Sequence, residues 1–282
     1  MKPRNQLPRK LLDRVMRGFS GAAAVAAVAA MLWIVWTIVV EGGGTLSWSL
    51  LTNCSKPYGE YPQGIANAFV GTLAITACAA LMAIPPALCA ATALAEFGGE
   101  RHLTHALRFV IDTLAGVPSV IVGLFVYSTV VAKTGCFSGI SGAIALAILM
   151  FPVVTRTTED CLRGVGIELR EAGLALGATR ARTTLAIVFK AARSGIVTGA
   201  LLAVARVSGE TAPLLFTALY ADAWPGDFFG GPTPSAAVLI TNNTLNSPFA
   251  EMHSIGWAAA LVLAFAILAV NIAVKFVFKE KK

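Results

Sequence analysis

Six long apolar stretches, at positions 19–40, 65–94, 109–131, 140–154, 196–219 and 255–278, limit what this chain can become. A helix rises about 1.5 Å per residue, so roughly 20 apolar residues cross the ~30 Å hydrocarbon core of a bilayer. A chain that spends its length this way keeps only connecting loops outside, and the expected fold is an all-α membrane protein with six transmembrane helices. Composition agrees: 56% of the 282 residues are hydrophobic and 13% are charged, against about 25% charged in a soluble domain. Five Cys are too few for a disulfide scaffold, and 26 Gly with 13 Pro are too few for a disordered or collagen-like chain.

Orientation follows from the basic residues, which concentrate in cytoplasmic loops. Lys2, Arg4, Arg9, Lys10, Arg14 and Arg17 precede the first stretch. Arg101 and Arg108 lie between the second and third, seven more in 155–195, and Lys275, Lys279, Lys281 and Lys282 at the end. The intervening segments carry only Lys56 and Lys133. Both termini are therefore expected in the cytoplasm, as a basic tail at 1–18 and a short tail at 279–282. The six-span domain between them, 19–278, has its longest cytoplasmic loop at 155–195. A cleaved signal peptide would also begin with a basic segment, but the first stretch runs longer than such a segment and lacks a convincing small-residue cleavage site. It is read as a span.

The stretch at 65–94 would make a helix of about 45 Å, longer than the bilayer core, and Pro85 and Pro86 are expected to break or kink it. Gly116, Val117, Pro118, Ser119 and Gly123 supply small residues for close helix packing in the third span. The 155–195 loop has no Pro and alternates apolar with charged residues, which predicts short amphipathic helices with a turn at Gly177. No G-x-x-x-x-G-K-S/T phosphate loop, H-E-x-x-H or G-x-S-x-G occurs. No metal site is expected; His102 and His105 read as a solvated turn. The chain is thus expected not to be an enzyme, leaving a transporter subunit or a membrane signalling scaffold. A cation within the fifth span, Arg206, favours the transporter.

From Glu171 the chain reads EAGLALGATRARTTLAIVFK, which resembles the EAA loop of ABC importer permeases: Glu171, Ala172, Gly173, then Gly177, and further on Ile187. Gly173 stands where Ala is usual and Lys190 where many families have Pro. GVPSVIVGLF (116–125), ARVSGETAPLLFTAL (205–219) and SPFAEMHSIGWAAALVL (247–263) narrow the likeness to the phosphate-specific ABC importer permease of PstA type. The resemblance implies the type I importer permease fold, a multi-pass location in the bacterial inner membrane, and ATP-driven import of inorganic phosphate by alternating access. It implies as partners a homologous second permease, a cytoplasmic ABC ATPase dimer and a periplasmic phosphate-binding protein. ATP and Mg would sit on that ATPase, with no cofactor on this chain. Permeases for sulfate, molybdate or phosphonate are the alternative. Glu171, Ala172, Gly173, Gly177 and Ile187 are then expected to couple to the ATPase.

Arg206 lies about 15 Å into the fifth span, near mid-membrane, where an unpartnered cation costs about 2.5 to 3.5 kcal/mol. On a continuous helix Glu210 would share its face at i, i+4, with Ser208 and Thr211 adjacent. These four are the expected substrate pathway, Arg206 offering its fork to phosphate oxygens and Glu210 orienting it. A structural ion pair is the competing reading. Cys54 and Cys136 share the outside compartment, so they form either a disulfide or two free thiols. The outside segment 220–254, which carries Asp222, Asp227 and Asn243, is expected to fold back in part and to receive the binding protein.

Overall fold

The computed structural model describes residues 7–99 and 102–277. Lys2, Arg4, Arg101, Lys279, Lys281 and Lys282 lie outside the described residues. Among the described residues the chain is helix and loop, without a strand.

The first helix, α1, is Leu7–Gly43; the short α2 is Trp48–Thr52; and α3, Ala66–Thr92, continues through a π-helical turn at Ala93–Phe97. Next come α4 (His102–Ala115), α5 (Ser119–Val126), a π-helical turn at Tyr127–Val131 and α6 (Ala132–Thr134). The 25-residue α7 is Gly139–Arg163. Beyond it lie α8 (Ile167–Ala175), α9 (Arg180–Thr183), a π-helical turn at Thr184–Val188 and α10 (Phe189–Val207). The last elements are α11 (Ala212–Thr217), α12 (Ala236–Thr241), a π-helical turn at Asn242–Asn246 and α13 (Ala250–Val277). Five helical segments are long and apolar enough to cross a membrane: Leu12–Gly43, Ala66–Phe97, Gly139–Arg163, Arg180–Val207 and Ala250–Ala273. A sixth exists if α4 and the α5–α6 segment, His102–Ala115 and Ser119–Thr134, are one broken span.

The core forms around α7, which packs against α3, α10, α4, α5 and α11. Ile75, Ala79, Ala83 and Ala87 recur every fourth residue and make one stripe of α3, fully buried against Ala143, Leu146, Ala147, Met150 and Val154 of α7. Small side chains on both helices let the backbones approach, and dispersion rather than water release holds them in lipid. By contrast, α1 touches little but α13; a Cβ added at Gly42 would fall 2.6 Å from the Trp257 carbonyl oxygen.

Several expected elements are corrected. The third stretch is not one helix: α4 and α5 meet at 97°. Gly116 and Val117 close tight turns onto the Thr113 and Leu114 carbonyls (3.0 and 3.2 Å), and Pro118 then takes φ −57°, ψ 134°. Proline has no N–H to continue the ladder and pushes its predecessor toward extended backbone, so the helix stops there. The fifth stretch is also divided, because α10 ends at Val207 and Pro213 opens α11. Conversely, α3 runs through Pro85 and Pro86 as one helix, and its irregularity comes downstream at Ala93–Phe97. The fourth helix extends past 154 to Arg163, so the 155–195 loop begins inside α7.

Opposite the basic end, the outer segment folds back as expected. Residues 236–239 of α12 are buried and pack with the following π turn on α13. Asn67 of α3 fastens the connecting loops, accepting from Ser55 N (2.9 Å) and donating to Ser55 Oγ (2.8 Å) and the Ala223 carbonyl (3.2 Å). Asn243 is only 3% exposed, so it is unavailable as a docking residue. Asp227 uses its carboxylate to accept from Phe229 and Gly230 N (3.1 and 2.9 Å), which shapes its own turn.

Cys54 and Cys136 are free thiols, which corrects the disulfide alternative. Cys54 faces the Asp222 carbonyl (Sγ to O 3.8 Å), whereas Cys136 accepts at its own carbonyl from Thr134 Oγ1 just after α6. Burial, then the Asp222 charge, pushes the Cys54 thiol up from its ordinary value.

Candidate functional site

The two interrupted helices meet. Residues 114–119 of the α4–α5 bend, Leu149, Met150 and Val153 of α7, and Ala203, Arg206 and Val207 of α10 enclose a cavity of about 300 Å³, with Glu210 at its edge. The two sequence segments 116–125 and 205–219 thus converge on one space. A second crossing locks them: a Cβ at Gly123 of α5 would lie 2.7 Å from Pro213 Cα of α11, so only glycine permits this approach.

Depth follows from helix register. On antiparallel α7 and α10, Gly195 abuts Cys161 and Gly199 abuts Thr157, four residues forward matching four back. Continued along α10, this register sets Arg206 opposite Met150, halfway along α7, and both line the cavity. Arg206 is therefore level with the middle of α7, and it stands at the end of a helix rather than within one.

That difference changes its relation to Glu210. After Val207 the chain turns: Ser208 Oγ donates to the Ala205 carbonyl (2.7 Å) and Glu210 N to the Val207 carbonyl (3.1 Å). Glu210 leaves the helical face, and among the described residues no ion pair joins it to Arg206. The expected i, i+4 ion pair is corrected: the two line one cavity without an ion pair between them. Ser208 is spent on the helix end, and Thr211 precedes α11 as its cap residue. Arg206 is exposed and Glu210 half-buried in the single chain.

The buried ion pair lies elsewhere, at the basic end, and sequence reasoning missed it. Glu159 of α7, with 2% of its side chain exposed, accepts from Arg108 Nε of α4 at 2.7 Å. Arg163 Nε and Arg156 Nη1 stand 3.2 and 3.5 Å from the same carboxylate. Arg108 Nη2 also donates to the Leu94 carbonyl (2.9 Å). The available signal was a lone Glu with Arg three residues before and four after, which puts both cations on its helical face.

The expected coupling residues gather on and around α8. Gly173 is buried, and a Cβ there would come 2.8 Å from Ile187 Cδ1 and 2.9 Å from Thr183 Cγ2. Gly177 ends the helix at φ +80°, its N–H on Leu174 O (2.9 Å), while Ala178 N–H reaches Gly173 O (3.2 Å). This is the left-handed helix stop that glycine allows. Among the described residues nothing beyond its chain neighbours comes within 4 Å of a Cβ built at Gly177, so backbone conformation, not lack of space, requires glycine there. Glu171 and Ala172 are exposed, and Leu176 is 88% exposed beside them. The sequence placed these five residues but not Arg170, which holds α8 in position. Arg170 Nη2 and Nε meet the Glu96 carboxylate at 2.7 and 3.3 Å, and its nitrogens also donate to the carbonyls of Leu162 (2.7 Å), Val165 and Gly166.

Residues 87–281, which hold the cavity, the bend and the α8 turn, match the family described as binding-protein-dependent transport system inner membrane component. The chain belongs to this family. As a member it is a multi-pass inner-membrane protein. This transport component is 42% identical over 244 residues to the phosphate transport system permease protein PstA of Yersinia pestis, covering 86% of this chain and 82% of that one. It is 39% identical over 274 residues to the protein of the same name from Haemophilus influenzae, covering 97% and 96%. Its fold is similar to the MetNI methionine ABC transporter in inward-facing conformations (TM-score 0.63, 15% identity, 76% of this chain and 94% of that one). At that identity the likeness concerns the fold alone.

Proposed function

We infer that the chain is the permease subunit of an ATP-driven importer of inorganic phosphate and forms half of its translocation pathway. The observation that carries this reading is the near full-length similarity to phosphate permeases, 39% over 97% of the chain in one case. The cavity gives it a chemistry. Arg206 presents a planar, permanently charged fork that suits phosphate oxygens. Glu210, nearby but unpaired, accepts from a protonated phosphate hydroxyl, which sulfate lacks, and moderates the cation so that the anion can leave. Because Arg206 is exposed in the single chain, a homologous second permease completes the wall.

By the basic-residue distribution the α8 end is cytoplasmic, and so are both termini. There the exposed Glu171, Ala172 and Leu176 meet an ABC ATPase dimer, which holds ATP and Mg and performs the hydrolysis; this chain has no phosphate loop of its own. A periplasmic phosphate-binding protein delivers substrate to the opposite face. Alternating access then opens the cavity to each side in turn.

The test is uptake of labelled anions by proteoliposomes containing this chain with its second permease, ATPase and binding protein. ATP-dependent phosphate accumulation that excess sulfate does not reduce is expected. Equal uptake of labelled sulfate would remove the substrate assignment.

A further inference from the structure

An Arg–carboxylate tie and an Arg–carbonyl tie connect the α8 turn to the cavity wall. The first is the fork of Arg170 on α8 over Glu96, in the π turn that extends α3. Two residues before Glu96, the Leu94 carbonyl accepts from Arg108, whose Nε holds buried Glu159. Arg108 belongs to α4, and α4 ends in the bend, residues 114–119, that lines the cavity. From α8 the ties thus run through residues 94–96 to α4 and to the wall facing Arg206.

Packing makes these ties decisive, because the helices at both ends of the route are lightly held. On α8 only Gly173 is buried. On α4 only Thr104 and Ile111 are, and Thr104 bonds back to Gly98 (2.8 Å) beside the same π turn. The further Arg156 contact to Asp112 is long, at 3.8 Å, and half-exposed, so it adds little. The side-chain contacts that lead from α8 toward α4 are thus Arg170–Glu96 and Arg108–Leu94, beside the Arg170 bond to the Leu162 carbonyl of α7.

Resting on the importer reading above, we propose that Arg170, Glu96 and Arg108 are positioning residues that convey the nucleotide state of the partner ATPase from α8 to the cavity-lining bend at Gly116–Pro118. A bidentate guanidinium suits this role because it resists both sliding and rotation. A single ammonium would leave the joint free to turn. Coupling claimed along a chain of contacts has to be tested by perturbing the contacts while both ends stay intact.

The experiment uses the assembled complex in lipid nanodiscs, in a background without native cysteines. Spin labels go on Leu107 of α4 and Leu202 of α10, both exposed and outside the cavity and the ties. Glu96→Gln keeps the side-chain shape and leaves the Arg170 bonds to Leu162, Val165 and Gly166 carbonyls in place, so α8 stays folded. Arg170→Lys keeps the charge without the fork. In the parent complex, ATP is expected to shift the label-to-label distance. In Glu96→Gln the ATPase remains bound and active, the shift is lost, and ATP consumed per imported anion rises roughly tenfold, within the range such contacts modulate. Arg170→Lys falls between the two. A full shift in both variants, release of the ATPase by Glu96→Gln, or no shift in the parent would each overturn the proposal. A parent complex that shows the shift but imports no phosphate supports the route and removes only the substrate assignment.

Discussion

Glu159→Ala should be among the most destabilising single changes outside the cavity. The carboxylate is 1% exposed by residue, and its removal strands Arg108, whose side chain is 14% exposed, with Arg156 and Arg163 crowding the same space. Breaking a buried pair from one side costs about 3 to 5 kcal/mol, since the remaining charge is left unpaired in low dielectric. Arg108 keeps its bond to the Leu94 carbonyl, so the lower end, about 3 kcal/mol, applies. At roughly 2 to 4 °C per kcal/mol for a chain of comparable size, the midpoint should fall by about 6 to 12 °C. Glu159→Gln should cost less, about 1 to 2 kcal/mol, because an amide oxygen still accepts from Arg108 while its NH2 faces other donors. Replacing both partners, Arg108→Met with Glu159→Leu, should recover most of the loss, as apolar substitutes for buried pairs commonly do. Thermal unfolding of the detergent-purified protein, followed by dye labelling of the half-buried cysteines that unfolding uncovers, such as Cys161, measures all three. If Glu159→Ala melts within about 1 °C of the parent, the argument from burial is wrong.

Three further outcomes are expected. Gly177→Asn should retain more ATP-driven uptake than Gly177→Ala, and Gly177→Val least, because the turn needs positive φ; strain of about 1 to 2 kcal/mol accompanies an ordinary side chain there. Equal uptake in the Asn and Val variants would contradict this. Gly123→Val should abolish uptake while the complex still assembles, since its Cβ would overlap Pro213 Cα and separate α5 from α11; normal uptake would refute the close crossing. Cys54 should alkylate more slowly than a free thiol at pH 8: its raised pKa leaves less thiolate there, and the gap closes only as pH passes that raised value. Asp222→Asn should speed the reaction by removing a neighbouring charge, and an unchanged rate would exclude that cause.

Hydropathy alone made the spans legible because each bilayer crossing imposes its length on the sequence, and α1, α3 and α13 fall where the apolar stretches do. The breaks were harder. Pro118 and Pro213 stand at the starts of α5 and α11 while Pro85 and Pro86 lie inside α3, and Gly116 and Gly209 stand two and four residues ahead of the first two, where the chain turns. Arg206 was visible as a cation in an apolar run, but its separation from Glu210 depended on the helix ending at Val207, which the periodicity of 196–219 did not show. The α8 turn was legible at Gly177, and the pattern that includes Ile187 marked the residues proposed to couple. The pairs Arg170–Glu96 and Arg108–Glu159 were not, because they join residues 74 and 51 positions apart and only the folded chain brings them together.

The proposed handling of the transported anion by Arg206 at mid-membrane can be read directly in transport. Its most direct test is ATP-dependent uptake of labelled phosphate by proteoliposomes carrying the complete complex with Arg206→Lys or Arg206→Gln, compared at matched assembly. Arg206→Lys, which keeps the charge but loses the bidentate fork, is expected to import slowly, and Arg206→Gln to import almost nothing while its ATPase still binds. Phosphate import by a fully assembled Arg206→Gln complex at the parent rate would contradict it.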